Sequence, residues 1–330
     1  MELKRSAERS WSPIRSSLKR EYDVMLSQFG RLTVSGCMAA AVLAGCGGSQ
    51  TPIGVVLTGA APDHLPGQKS FDFTGETQYF TVPAGVRQIK VIARGARGAG
   101  SPVAYGGRVH AVIPVTPGEK LVVYVGGDGK GHLGGYNRGG PGYRSTSSGN
   151  SHAYGGGGAT DIREGGNSLD DRVLVAGGAG GQGGLDYSYG VGGEGGGRSA
   201  GSGAPGFYSP QAGGGGSGGT QKSGGRGGGG GTGSYGSGEP GGDGSLGEGG
   251  GGAGPWGYLS YLGGGGGGGG GGYYGGGGGG GGGGDDYGGG VGGGGGGGGG
   301  SSFVERNATD VRMWRGWKES ADNGLVVFSW

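Results

Sequence analysis

The stretch GGGGGGGGGGYYGGGGGGGGGGDDYGGGVGGGGGGGGG occupies residues 263–300, and how its backbone is satisfied decides what fold the chain can adopt. Three pure glycine runs, 263–272, 275–284 and 292–300, are separated by Tyr273-Tyr274 and by a segment opening with Asp285-Asp286-Tyr287. The near-equal lengths read as equal rods joined by turns. Glycine can take a threefold extended helix rising about 3.1 Å per residue, so ten residues make a rod of about 31 Å. Such a rod has no internal hydrogen bonds, and its amides need neighbouring rods. The missing Cβ lets backbones approach closely enough for amide-to-carbonyl bonds and for weaker hydrogen bonds from the α-carbon C–H to carbonyls. Ordering ten glycines costs about 5–10 kcal/mol more than ordering ten alanines, while a net hydrogen bond returns about 1 kcal/mol. A lone rod is therefore disordered, and only a lattice bonded on several sides persists. The other reading is a disordered glycine linker.

Outward from this stretch the pattern changes to strands. Phe71, Phe73 and Phe80 lie in a β-rich run that ends at Thr81-Val82-Pro83-Ala84-Gly85. Ile89, Val91 and Ala93 alternate with Lys90 and Arg94; Val109, Ala111, Ile113 and Val115 alternate next; Leu121, Val123 and Val125 follow. A period of two is the mark of half-buried strands. Strand-like runs recur at 172–176 and 324–330, and the last is placed to pair with the opening strands. No long helix is expected after residue 45. The class is mainly β, a β-sandwich. Trp314 and Trp317 are expected to cover the core beside the last strand.

Of 330 residues, 107 are glycine, so the side-chain core is small for the length. The net charge of +2 gives no field to recruit nucleic acid. Between residues 177 and 300 the basic residues are Arg198, Lys222 and Arg226, too few to neutralise a phosphate track. The two cysteines, Cys37 and Cys46, both precede the glycine-rich body. Cys46 ends Leu43-Ala44-Gly45-Cys46 after an apolar run from residue 32, too short to span a membrane and right for a signal-peptide core. This resembles the bacterial lipobox, in which the thiol takes a diacylglyceryl group and cleavage leaves it at the mature terminus. Residues 1–46 thus read as an N-terminal extension, with Met25 as the expected start, and a lipoprotein signal peptide. Residues 47–69, with Pro52, Pro62 and Pro66, read as a flexible tether. Residues 70–330 form the body, β-rich over 70–176 and 301–330 and polyglycine-rich over 177–300.

One segment carries a recognisable pattern: Gly155-Gly156-Gly157-Gly158-Ala159-Thr160-Asp161-Ile162-Arg163, then Leu169, then Asp171-Arg172-Val173-Leu174-Val175-Ala176-Gly177-Gly178. It resembles the glycine-rich domain shared by many bacterial surface proteins and by the extracellular regions of anaplastic lymphoma kinase and leukocyte tyrosine kinase. Phe71-Asp72-Phe73-Thr74-Gly75, Thr81-Val82-Pro83-Ala84-Gly85-Val86 and the closing Gly324-Leu325-Val326-Val327 are similar to bacterial members, so the resemblance runs over about 71–330. It implies a jelly-roll-like β domain with an inserted bundle of polyglycine helices. In the receptors this region helps recognise a protein ligand. No ligand-contact residue carries over, because the shared motifs read as structural: Asp161 and Arg163 as partners in turn or strand pairing, 173–176 as a core strand.

Chemical motifs are sparse. Gly215-Gly216-Ser217-Gly218-Gly219 has nucleophile-elbow spacing without the strand-turn-helix context it needs. His64, His110, His132 and His152 are scattered without metal-ligand spacing. Neither enzymatic activity, nor a metal, nor a cofactor is expected. Aromatic residues beside the glycine runs, Trp256, Tyr258, Tyr261, Tyr273 and Tyr274, form a candidate binding surface, since large aromatics anchor interfaces; the other reading has them terminate the rods and pack over their ends. The expectation is an exported, lipid-anchored protein at the extracytoplasmic surface, bound to the membrane through Cys46 and acting in recognition of a protein or glycan, adhesion or envelope structure. The alternative is a passive spacer or cell-wall structural protein with a disordered glycine tract.

Overall fold

The computed structural model describes residues 67–145, 152–184, 189–234, 236–255, 263–284, 291–318 and 322–330, all within the unit Gly59–Trp330. The alternating segments form strands, in chain order β1 (Gln68–Asp72), β2 (Gln78–Thr81), β3 (Gln88–Arg94), β4 (Arg108–Pro114), β5 (Lys120–Tyr124), β6 (Thr160–Arg163), β7 (Arg172–Ala176), β8 (Phe303–Val304), β9 (Thr309–Trp314) and β10 (Leu325–Ser329). The only helical element among the described residues is the single 3-10 turn Leu169–Asp171. The mainly β expectation therefore holds.

The strands make two five-stranded sheets, ordered β1-β10-β3-β4-β9 and β2-β5-β6-β7-β8, and every pairing is antiparallel. As expected, the C-terminal strand closes on the opening ones: β10 lies between β1 and β3. Burial follows the pleat. Ile89, Val91, Val109 and Ala111 from the first sheet share one core with Leu121, Val123, Ile162 and Leu174 from the second. Phe71 of β1, Phe80 of β2 and Phe328 of β10 pack edge to face with centroids 5.0–6.2 Å apart. Each phenylalanine buried there contributes about 1.5–3 kcal/mol. Met313 and Trp330 pack against this core. Trp314 and Trp317 do not: they lie against Arg108, with its guanidinium carbon 5.0 Å and 4.5 Å from their ring centroids. That corrects the expected place beside the last strand. β9 is the edge strand across the sheet from β1, and its register sets Trp314 opposite Arg108.

β7 and β8 are neighbours in the second sheet, so the chain from 177 to 302 leaves one strand and returns on the next. The glycine runs within it hydrogen-bond with a period of three. In the first run, Gly264, Gly267 and Gly270 donate to the carbonyls of Gly292, Gly295 and Gly298. Gly266, Gly269 and Gly272 donate to Ala253, Gly250 and Gly247, and Gly268 and Gly271 to Tyr154 and Gly157. Its carbonyls accept on three further sides: from Gly276, Gly279 and Gly282, from Gly178, Gly181 and Gly184, and from Gly140 and Tyr143.

The three runs close a cycle. The first donates to the third, the third donates to the second through Gly292, Gly295 and Gly298, and the second donates to the first. The register makes the second run antiparallel to the other two. Close packing is what glycine permits here: a Cβ on nearly any residue of the runs would collide with a neighbouring backbone carbonyl. Segments outside 177–300 join in, since Gly140, Tyr154 and Gly157 from the β5–β6 connection all bond to the first run.

Candidate functional site

The glycine runs have two ends with different chemistry. One abuts the second sheet, because Gly177 follows β7 and Ser301-Ser302 precede β8. Tyr273 and Tyr274 turn the chain there. Tyr273 stacks on Phe303 at 4.1 Å with an interplanar angle of 12° and meets Tyr274 edge to face at 5.4 Å. Arg172 lies over the Tyr273 ring at 5.0 Å, donates from Nη1 to the Gly272 carbonyl at 2.9 Å and from Nη2 to the Tyr273 carbonyl at 3.2 Å. Both tyrosines are half-buried. This end is a seam between sheet and glycine.

Beside it sits the charged pair of the Thr-Asp-Ile-Arg segment. Asp161 and Arg163 are buried, with Nε donating to Oδ1 at 2.7 Å and Nη2 to Oδ2 at 3.3 Å. Asn137 donates to Asp161 Oδ2 at 2.8 Å, and Arg163 Nη1 donates to the Asn167 carbonyl at 2.6 Å. Tyr124 covers the guanidinium, 4.0 Å from its centroid. Two charges taken from water need such partners, and these hold the β5–β6 connection over the sheet.

The far end is the layer of Gly264, Gly282 and Gly292, about 25 Å from the seam at the rise of a threefold extended chain. Here the turn 206–212 presents Phe207 and Tyr208, 62% and 65% exposed, the two most exposed large hydrophobic side chains among the described residues. The turn is held firmly. Gly206 donates to Gly213, Gly293 to the Phe207 carbonyl, Thr232 to the Pro210 carbonyl and Gly283 to the Gln211 carbonyl. Tyr208 has φ +70°, a conformation that costs a residue with a Cβ about 1–2 kcal/mol. The turn thus exposes two aromatic rings on a hydrogen-bonded backbone that holds Tyr208 in a strained conformation.

Of the aromatics singled out in the sequence, Trp256, Tyr258 and Tyr261 lie outside the described residues, as do Cys46 and Leu43, Ala44 and Gly45. Tyr273 and Tyr274 pack at the seam and are not brought to the Phe207-Tyr208 turn. That turn is absent from the sequence expectations because it follows only a short glycine stretch; its one signal is an aromatic pair before Ser209-Pro210 between glycine segments. Among the described residues no cluster of His, Cys, Asp or Glu is grouped to hold a metal ion, and no helix is long and apolar enough to cross a membrane. Asp243 accepts from the Gly227 amide at 2.7 Å, and Ser217 donates its amide to the Arg226 carbonyl within an extended segment. No family model matches the chain, and no curated protein matches it.

Proposed function

We propose that the chain is a lipid-anchored, extracytoplasmic surface protein held at Cys46. Its jelly-roll-like β-sandwich carries an inserted polyglycine helix bundle, a stiff platform for recognition of a protein or glycan ligand, for adhesion or for envelope structure. The observation that carries this reading is the three-residue periodicity of the glycine hydrogen bonds, each run bonded on six sides. A passive spacer needs no such pairing, and a disordered tract has none. The exposed Phe207-Tyr208 turn at the free end supplies a surface for the platform to present. The lipobox-like Leu43-Ala44-Gly45-Cys46 supplies the anchor.

The test expresses the full chain in a bacterium with lipoprotein processing. The parent protein stays with the membrane fraction and confers adhesion to cells or matrix; Cys46→Ser releases it; Phe207→Ser with Tyr208→Ser keeps it membrane-bound and lowers adhesion at least tenfold. Adhesion unaltered in the aromatic double variant sinks the recognition role of this turn. A peptide bearing unmodified, uncleaved Cys46 sinks the anchor.

A further inference from the structure

The outer face of the first sheet is unlike that of the second. In the second sheet β6 and β7 are buried along their whole length. The first sheet points Ile92, Val112, Leu325 and Val327 away from the core, half-buried, at the centre of its outer surface. The register sets these in rows: Val327 opposite Ile92, and Ile92 opposite His110. Around this aliphatic centre stand Lys90, Arg94, Arg108 and Arg312, and Trp314 and Trp317 flank Arg108. Its acidic groups are Asp72 at the far margin and Asp310, which pairs with Arg312 at 3.3 Å and meets His110 Nδ1 at 3.4 Å.

His110 reports the local field. Burial holds its imidazole below the ordinary histidine value; Asp310 opposes this, and the charges of Lys90, Arg312 and Arg108 add to it.

We propose that this face rests on the anionic lipid surface to which the chain is tethered. The inference rests on the lipid-anchored reading above, and two observations commit it to lipid. An apolar centre, a cationic rim and flanking tryptophans match the layers of an anionic bilayer interface: acyl boundary, headgroup charge and aromatic belt. The tether also arrives here. Twenty residues, 47–66, separate Cys46 from the first described residue, Gly67, which leads directly into β1 of this sheet, bonded to the Trp330 carbonyl at 3.0 Å. Lipid on Cys46 thus holds this sheet within reach of the membrane, and the charged face turns it flat.

The experiment uses the full chain carrying Cys46→Ser, so that no attached lipid contributes, and measures flotation with vesicles of phosphatidylcholine alone or mixed equally with phosphatidylglycerol. The apolar run before Cys46 contributes equally to every variant. The parent prefers the anionic vesicles and loses that preference at tenfold higher salt. Lys90→Gln with Arg312→Gln lowers partitioning to anionic vesicles about thirtyfold, at one interaction per removed cation. Both side chains are exposed, so the fold survives, as circular dichroism verifies. Lys222→Gln with Arg226→Gln, on exposed glycine-region positions, changes nothing. Equal flotation of the Lys90/Arg312 variant and the parent overturns the proposal. So does a parent that ignores phosphatidylglycerol yet binds a soluble acidic polysaccharide, which assigns the face to such a polymer. Failure of the anchor is read separately, from the mass of the Cys46 peptide of the unsubstituted chain.

Discussion

Gly279→Ala tests the glycine lattice at its centre. Gly279 belongs to the second run; its amide donates to Gly267 at 2.8 Å. A Cβ on it would lie 2.5 Å from the Gly295 carbonyl carbon and closer still to the oxygen. Carbon atoms sit comfortably from about 3.5 Å, so the second and third runs must part by roughly 1 Å. Three bonds cross that interface, Gly292, Gly295 and Gly298 donating to Gly283, Gly280 and Gly277 at 2.8–3.0 Å. A buried amide left unsatisfied costs about 1–3 kcal/mol. Disrupting these three costs about 3–9 kcal/mol, much of the 5–15 kcal/mol that a domain commonly has. Gly229→Ala is the control from the same glycine-rich region: it is exposed, a Cβ there meets nothing within 4 Å, and its φ lies outside the left-handed region. That change alters stability by less than about 1 kcal/mol and favours the folded state by reducing the freedom of the unfolded chain. Urea unfolding followed by tryptophan fluorescence measures both. A Gly279→Ala variant within 1 kcal/mol of the parent would refute close-packed runs, whatever Gly229→Ala does.

Two further outcomes follow from the same structure. Amide hydrogen exchange over 263–284 and 291–300 is slow for the whole of each run in the folded chain, because every bonded amide in the lattice opens only with its neighbours; exchange at random-coil rates would return the passive-spacer reading. Stability falls as pH rises from about 4.5 to about 7: the Glu164 carboxyl is pushed up to about 7 by burial, then by its hydrogen bond with Glu119 and the charges of Glu119 and Glu305. The folded chain therefore binds this proton more tightly than the unfolded chain across that window, and the gain is lost as the carboxyl ionises. Since solvent reaches the group, the change is about 1 kcal/mol; Glu164→Gln flattens that part of the thermal-unfolding profile, and an unchanged slope from pH 5 to 8 would remove Glu164 as its source.

What the sequence made legible follows from which residues have side chains to write with. β3, β4, β5 and β10 were readable because Ile89, Val91, Val109, Ala111, Leu121, Val123, Val326 and Phe328 alternate with polar or less buried neighbours. β9 was not: Thr309, Asp310, Val311 and Arg312 are all exposed, Asp310 has φ +47°, and the pairing slips between His110 and Val112. An edge strand facing solvent has no alternation to show. β6 has no alternation to read either, since all four of its residues are buried; Asp161 and Arg163, expected as partners in turn or strand pairing, pair with each other. The cation–π contact of Arg108 with Trp314 and Trp317 depends on strand register, which no local pattern encodes. In the glycine runs the limit is absolute. Every residue is the same, so neither which amide faces which neighbour nor the cycle of donation among the three runs is written there. Equal lengths and the tyrosine pair pointed to three runs joined by turns, but register had to come from outside, from Arg172 holding the Gly272-Tyr273 turn and from the flanking strands β7 and β8. The hydrogen-bonded runs can therefore be specified only together with the sheet. A chain keeping all three runs but losing Arg172 and Phe303 keeps the composition of the lattice and loses what sets its first layer.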